Sequence, residues 1–226
     1  AGVAGVPAPQ TTAPVVAHEQ VVAQTDVFKL TFDTEGGSLV RAEFLKHADM
    51  VDKSRHFVLL DDSKERVYLA QTGLIAVAGG AALPTHKSLM TLAPGERTLK
   101  DGSQTLELRF ESADVGGVKL VKTYTLTRGS YAVAVQHEVI NVGAVPIAPQ
   151  LYLQLVRDGN KPPGESSFYS TFTGPAVYTE AKKYQKVEFS DIEKGSVDIE
   201  KTASNGYVAM VQHYFASAWL LGDGIK

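Results

Sequence analysis

The sequence contains no cysteine, which excludes disulfide bonds, thiolate-ligated zinc, iron–sulfur clusters and thiol nucleophiles. This absence leaves the redox compartment open, because a thiol-free chain tolerates oxidising and reducing surroundings equally. Positive charge is not in excess either. The 22 Lys and Arg stand against 25 Asp and Glu, a formal net charge of −3, a balance unsuited to neutralising many phosphates and therefore to nucleic acid as a partner. No run reaches the ~20 apolar residues that a membrane-crossing helix needs. The nearest, residues 207–221, is interrupted by Gln212, His213 and Ser217.

Signatures of catalysis are also scarce. There is no Gly-x-Ser-x-Gly elbow, and the glycine pairs at 36–37, 79–80 and 116–117 lack the spacing and following lysine of a phosphate loop. The six histidines form no ligand pair two or four residues apart. His137 and His213 each fall in an expected strand beside polar residues, with Glu138 adjacent to the first. Two such histidines and a carboxylate suit proton transfer, while the plainer reading is a satisfied or surface histidine in a sheet. Asp61 and Asp62 lie in one short acidic run without the glycine and distal glutamate of a calcium loop, which reads as a solvated turn. No cofactor is expected.

What is present is a chain of 226 residues, 44% hydrophobic and 21% charged, ordinary globular usage and enough to bury a core without staples. Residues 1–20 carry Pro7, Pro9 and Pro14 among small side chains. They read as a flexible Pro/Ala-rich linker belonging to a longer protein, with one domain expected over 21–226.

From Val21 the periodicity is two. Phe28, Leu30 and Phe32 alternate with Lys29, Thr31 and Asp33, and Leu106, Leu108 and Phe110 alternate with Glu107 and Arg109. Residues 118–127 and 131–139 follow across glycine turns, suggesting a meander. Further strands are expected at 68–72, 151–155, 176–179, 186–189, 197–200 and 207–212. Helical turns are expected only around 44–51 and 190–193. Many short strands without alternating long helices indicate an all-β fold of antiparallel sheets packed face to face.

One stretch stands out. Between Phe168 and Phe189, aromatic rings are interleaved with Lys182, Lys183 and Lys186. Tyrosines beside lysines suit a protein or carbohydrate contact surface, because the ring supplies apolar area while the hydroxyl stays wet. The alternative is that the rings alternate into the core and the lysines face water.

Five segments read together, TDVFKLTFDTEGGSL (25–39), YTLTRGSYAV (124–133), FTGPAVY (172–178), KYQKVEF (183–189) and GYVAMVQHYFASAW (206–219), resemble the periplasmic domain of bacterial membrane-protein insertases of the YidC/Oxa/Alb family. The last is the most specific, with Tyr214, Phe215 and Ala216 shortly before Trp219. The resemblance implies an antiparallel β-super-sandwich of galactose mutarotase-like architecture with few short helices. It would be non-catalytic and lie at the periplasmic face of the inner membrane, within a parent anchored by segments absent here. It further implies contacts with SecD–SecF and the Sec translocon, or with nascent membrane proteins. Family members continue past the last residues here, so a C-terminal truncation is expected. If one surface carries such contacts, the Pro162–Phe189 segment is the candidate, through Tyr169, Phe172, Tyr178, Lys182, Lys183 and Tyr184. The alternative reading is a carbohydrate-binding or mutarotase-like sugar-active sandwich, whose exposed aromatics stack on sugar faces. A third is a structural spacer.

Overall fold

In the computed structural model the residues described are 18–77, 80–162, 164 and 171–221. They form two compact units, one made of the described residues up to Asp49 with Lys53–Val156, the other of Met50–Asp52 with those from Arg157 onward. Among the described residues, apart from one helical turn, the regular structure is β, mostly antiparallel, with an isolated parallel bridge between Gln24 and Thr98. The expected linker falls largely on residues outside those described, and the first strand begins at Gln20.

The first unit holds two sheets. One contains β1 (Gln20–Gln24), β2 (Phe28–Asp33), β3 (Ser38–Ala48), β4 (His56–Asp62) and β5 (Val67–Ile75) in sequence order, with β10 (Gln150–Arg157), all but its last residue in this unit, beside β5. The other runs β6 (Met90–Leu92), β7 (Thr105–Ser112), β8 (Val118–Thr127) and β9 (Val133–Asn141) in order, a meander. Leu106, Leu108 and Phe110 are buried on β7 while Thr105 before them and Glu107 and Arg109 between them are exposed, which is the expected alternation. On β8, Val118, Leu120, Tyr124 and Leu126 share the buried face with one charged residue, Lys122. Phe32 of the first sheet meets Phe110 and Tyr124 of the second at ring-centroid distances of 5.8 and 4.7 Å. The inner faces thus close as a sandwich, each fully buried ring contributing about 1.5–3 kcal/mol of hydrophobic stabilisation.

Two glycines fix the link between the sheets. Gly36 and Gly37, in the turn from β2 to β3, both take positive φ (72° and 57°), the conformation glycine adopts without a Cβ clash. A Cβ on Gly36 would also fall 2.2 Å from the His86 carbonyl oxygen. The Gly36 amide donates to the Ser88 carbonyl at 2.8 Å.

Several expectations are corrected. Residues 44–48 end the long strand β3 and form no helical turn. Val40, Ala42 and Phe44 are buried alternately with Arg41 and Glu43, so the period is two, and a register shift against β4 after Phe44 interrupts it. Asp61 and Asp62 close β4 rather than lying in a turn: they pair with Tyr68 and Val67 of β5, and Asp61 is ion-paired to Arg41. On β2 the alternation gives way at Thr31 and Asp33, which are buried with Phe32 where the register shifts against β3.

The second unit contains β11 (Thr173–Thr179), β12 (Lys183–Lys186), the short helix α1 (Phe189–Glu193), β13 (Gly206–Gln212) and β14 (Phe215–Leu220). Its sheet has the order β12, β11, β13, β14. The helical turn at 190–193 is present. The strand expected at 186–189 lies earlier, at 183–186, because the hairpin from β11 places Lys183 opposite Thr179. Residues 197–200 form no strand. Asp198 instead contacts the β11–β12 hairpin: its side chain accepts from Lys182 in the turn and its carbonyl from Gln185 of β12. β14, absent from the expected strands, pairs with all of β13 except its first residue.

Candidate functional site

Register builds the site in the second unit. Tyr178 lies directly opposite Tyr184 of β12 on one side and Tyr207 of β13 on the other, and Tyr207 lies opposite Leu220 of β14. Directly opposed residues share a sheet face, so four side chains form one row across four strands. The row is open to solvent: Tyr184 is 45% exposed and Leu220 73%, while Tyr178 and Tyr207 are half-buried. Tyr178 and Tyr207 stack with planes 7° apart and centroids 5.3 Å apart, each covering a face of the other.

Charged groups rim this row in matched pairs. The Tyr178 hydroxyl donates to Glu180 at 3.3 Å, and Lys183 donates to the same carboxylate at 2.6 Å. The Lys183 hydrogen bond lowers the pKa of Glu180, assisted by its charge and by Tyr178; the same hydrogen bond raises the pKa of Lys183. Lys182 bonds Asp198 at 2.8 Å and lowers its pKa. Lys186 places its Nζ 5.1 Å from the Phe172 ring centroid, a cation–π contact. Lys183 also has a positive φ of 58°, a conformation uncommon outside glycine and asparagine.

Of the six candidate contact residues, Tyr178 and Tyr184 share the row and Lys182 and Lys183 stand at its rim. Phe172 lies at the other end of β11, its ring against Gly174, and Tyr169 lies outside the described residues. Tyr207, Glu180 and Asp198 were missed. Strand periodicity put Tyr207 in a strand, but only pairing with β11 shows which face it joins.

The histidines have structural partners. His137 Nε2 and the Thr72 hydroxyl are 2.8 Å apart, and the neighbouring Glu138 stands 3.5 Å from Arg109. His213 occupies the β13–β14 turn with φ 32°, its Nδ1 3.0 Å from the Thr171 hydroxyl. Among the described residues, no three His, Cys, Asp or Glu side chains are grouped to hold a metal ion.

Sequence reasoning also missed a buried polar cluster in the first unit. Lys122 is fully buried and donates to the carbonyls of Gly36 at 2.5 Å and Thr72 at 2.7 Å. Burial pushes its pKa down to about 7. The Tyr124 hydroxyl donates to the Gly37 carbonyl at 2.7 Å. Near Gly73, the Tyr152 oxygen accepts the His86 backbone N–H at 2.9 Å and lies 2.5 Å from His86 Nδ1. Burial lowers the His86 pKa, with Lys87 and Lys122 adding to it, and raises that of Tyr152. The sequence signal for the cluster is a lysine in the alternating apolar row of β8.

The fold is thus all-β, with a sandwich in the first unit and, in the second, a four-stranded sheet that carries the tyrosine row and its lysine-paired carboxylates. Residues 20–225 match the family described as YidC periplasmic domain. The chain is 50% identical over 206 residues to the membrane protein insertase YidC of Bordetella parapertussis, covering 91% of this chain and 36% of that protein. It is 50% identical over 212 residues to the membrane protein insertase YidC of a Janthinobacterium species (94% and 36%), and 49% identical over 224 residues to that of Cupriavidus necator (99% and 39%). The chain belongs to the YidC periplasmic domain family, which places it at the periplasmic face of the bacterial inner membrane. It spans little more than a third of the length of these relatives.

Proposed function

We propose that this domain is a non-catalytic contact module of a membrane-protein insertase, supporting insertion and folding by engaging Sec translocon components, SecD–SecF foremost, or emerging membrane proteins. The observation that carries this reading is the row of Tyr184, Tyr178 and Tyr207 with its Lys–Glu and Lys–Asp rim. Tyrosine offers large contact area at low conformational cost and a hydroxyl that stays hydrated until a partner arrives. The stacked pair does not favour the sugar-binding alternative, because Tyr178 and Tyr207 cover one another rather than lying side by side as a flat platform.

The test is site-specific photocrosslinking from position 184 of the full-length parent in inner membranes, with a sugar-array screen of the same protein. Adducts with Sec components or nascent chains support the reading. Saturable sugar binding without any protein adduct replaces it with the carbohydrate alternative.

A further inference from the structure

Thr72 of β5 holds two residues of the facing sheet. Its carbonyl accepts from Lys122 Nζ and its hydroxyl meets His137 Nε2, while Lys122 and His137 are directly opposed on β8 and β9. Thr72 and Lys122 are fully buried, and the second acceptor of Lys122, the Gly36 carbonyl, ties in the β2–β3 turn. The ionisable groups around this cluster are Lys122 and Tyr124 from β8, His86 from the segment after β5, and Tyr152 from β10. Tyr124 bonds Gly37, and His86 and Tyr152 bond each other. On its own strand, the neighbouring Glu138 turns to the opposite face, toward Arg109. Among the described residues Lys122 has carbonyl partners and no carboxylate, so nothing balances a second cation beside it.

Strand β9 is the place where such a charge would act. It is the outermost strand of its sheet among the described residues. Its inward row is half-buried at Val133, Val135 and His137 and 39% exposed at Val139. Few buried apolar contacts make an edge strand the element that opens at lowest cost.

We propose that the Lys122–Thr72–His137 cluster is an acid-operated latch: a proton taken up by His137 turns its ring away from Thr72 and releases β9 from the edge of the sandwich while the remaining strands stay closed. In the closed state, burial and then the charge of Lys122 hold the imidazole pKa down to about 4, so the closed form carries a neutral ring. A ring that has swung into water regains its ordinary pKa near 6.5. Acid therefore favours the open form.

Hydrogen–deuterium exchange on the full chain at several pH values, corrected for intrinsic exchange, tests this. Opening of β9 should rise about tenfold per pH unit between roughly 6 and 4.5, the slope of one proton bound on opening, while β2 and β7 stay protected. His137→Gln keeps a side chain able to bond Thr72 but cannot charge, and it should abolish the acid response. Lys122→Met should move the His137 pKa upward and weaken the response. Three results overturn the proposal: an unchanged acid response in His137→Gln, protection lost equally in β2, β7 and β9, or β9 protection that does not change with pH.

Discussion

Tyr178 and Tyr207 are directly opposed on β11 and β13 with their rings nearly parallel, 5.3 Å between centroids, whereas Tyr184, opposed to Tyr178 on its other side, is 45% exposed. One row therefore contains a packed pair and a free ring. Tyr207→Ala should cost about 1–2 kcal/mol, from the lost stack and its half-buried area. Tyr184→Ala should leave the thermal midpoint unchanged while lowering crosslinking yield to the partner. Thermal denaturation and crosslinking of the same two variants check both halves, and an equal loss of stability in the two would assign Tyr184 to the core.

Tyr124 spans the sandwich through a hydroxyl on the Gly37 carbonyl. Tyr124→Phe keeps the ring against Phe32 and removes only this bond. The expected loss is about 1–2 kcal/mol, the cost of a buried carbonyl left without its donor, read as a lower urea midpoint at unchanged slope.

The turn beneath it tolerates less. Gly36 has positive φ, and a Cβ there would sit 2.2 Å from a backbone oxygen of His86. Backbone on both sides cannot yield as a side chain end does. Gly36→Ala should cost more than about 3 kcal/mol and move the carbonyl that Lys122 uses. Urea unfolding checks this, with Gly129→Ala as the comparison: that residue also has positive φ but has nothing within 4 Å of its Cβ position.

Stability should climb with pH above neutrality. Lys122 has a folded pKa of about 7 against an ordinary 10.5, so between these values the unfolded chain holds a proton that the folded chain has released. Stability then rises by about 1.4 kcal/mol per pH unit through that window and is level, as far as Lys122 is concerned, below about pH 7. His137, lowered to about 4, acts in the same direction at acid pH: stability falls as pH drops from roughly 6.5 to 4. Urea midpoints from pH 4 to 10 should show both slopes. Lys122→Met should remove the upper one.

His213 sits at φ 32° in the turn between β13 and β14, where a side chain strains the backbone. His213→Gly relieves this and should raise stability by about 1 kcal/mol, even though the contact with Thr171 is lost. A higher thermal midpoint is the expected reading.

Much of the strand content was legible because burial on one face leaves a period of two. β7, with Leu106, Leu108 and Phe110 buried in alternation with more exposed residues, shows the pattern most cleanly. The long strand β3 was harder to read, since a register shift after Phe44 interrupts the pattern. β12 and β14 are edge strands of a small sheet among the described residues; β12 is mostly exposed, and β14 alternates in exposure but places Ser217 in its half-buried row and Leu220 toward solvent, which hides the period in the sequence. For the candidate site, the local stretch around Tyr178 and Tyr184 was visible in composition, but its partner Tyr207, 29 positions later, was not.

The sequence by itself determined the all-β class, the glycine turns and the family, because each rests on local residue order: alternation, left-handed positions and contiguous motifs. Only the tertiary structure decided that Tyr184, Tyr178 and Tyr207 form one row, or that Thr72, Lys122 and His137 meet in one cluster. Strand order and register are set by burial shared between distant segments and by the turns that join them. A shift of one residue would turn each side chain to the other face without altering the period that makes a strand recognisable.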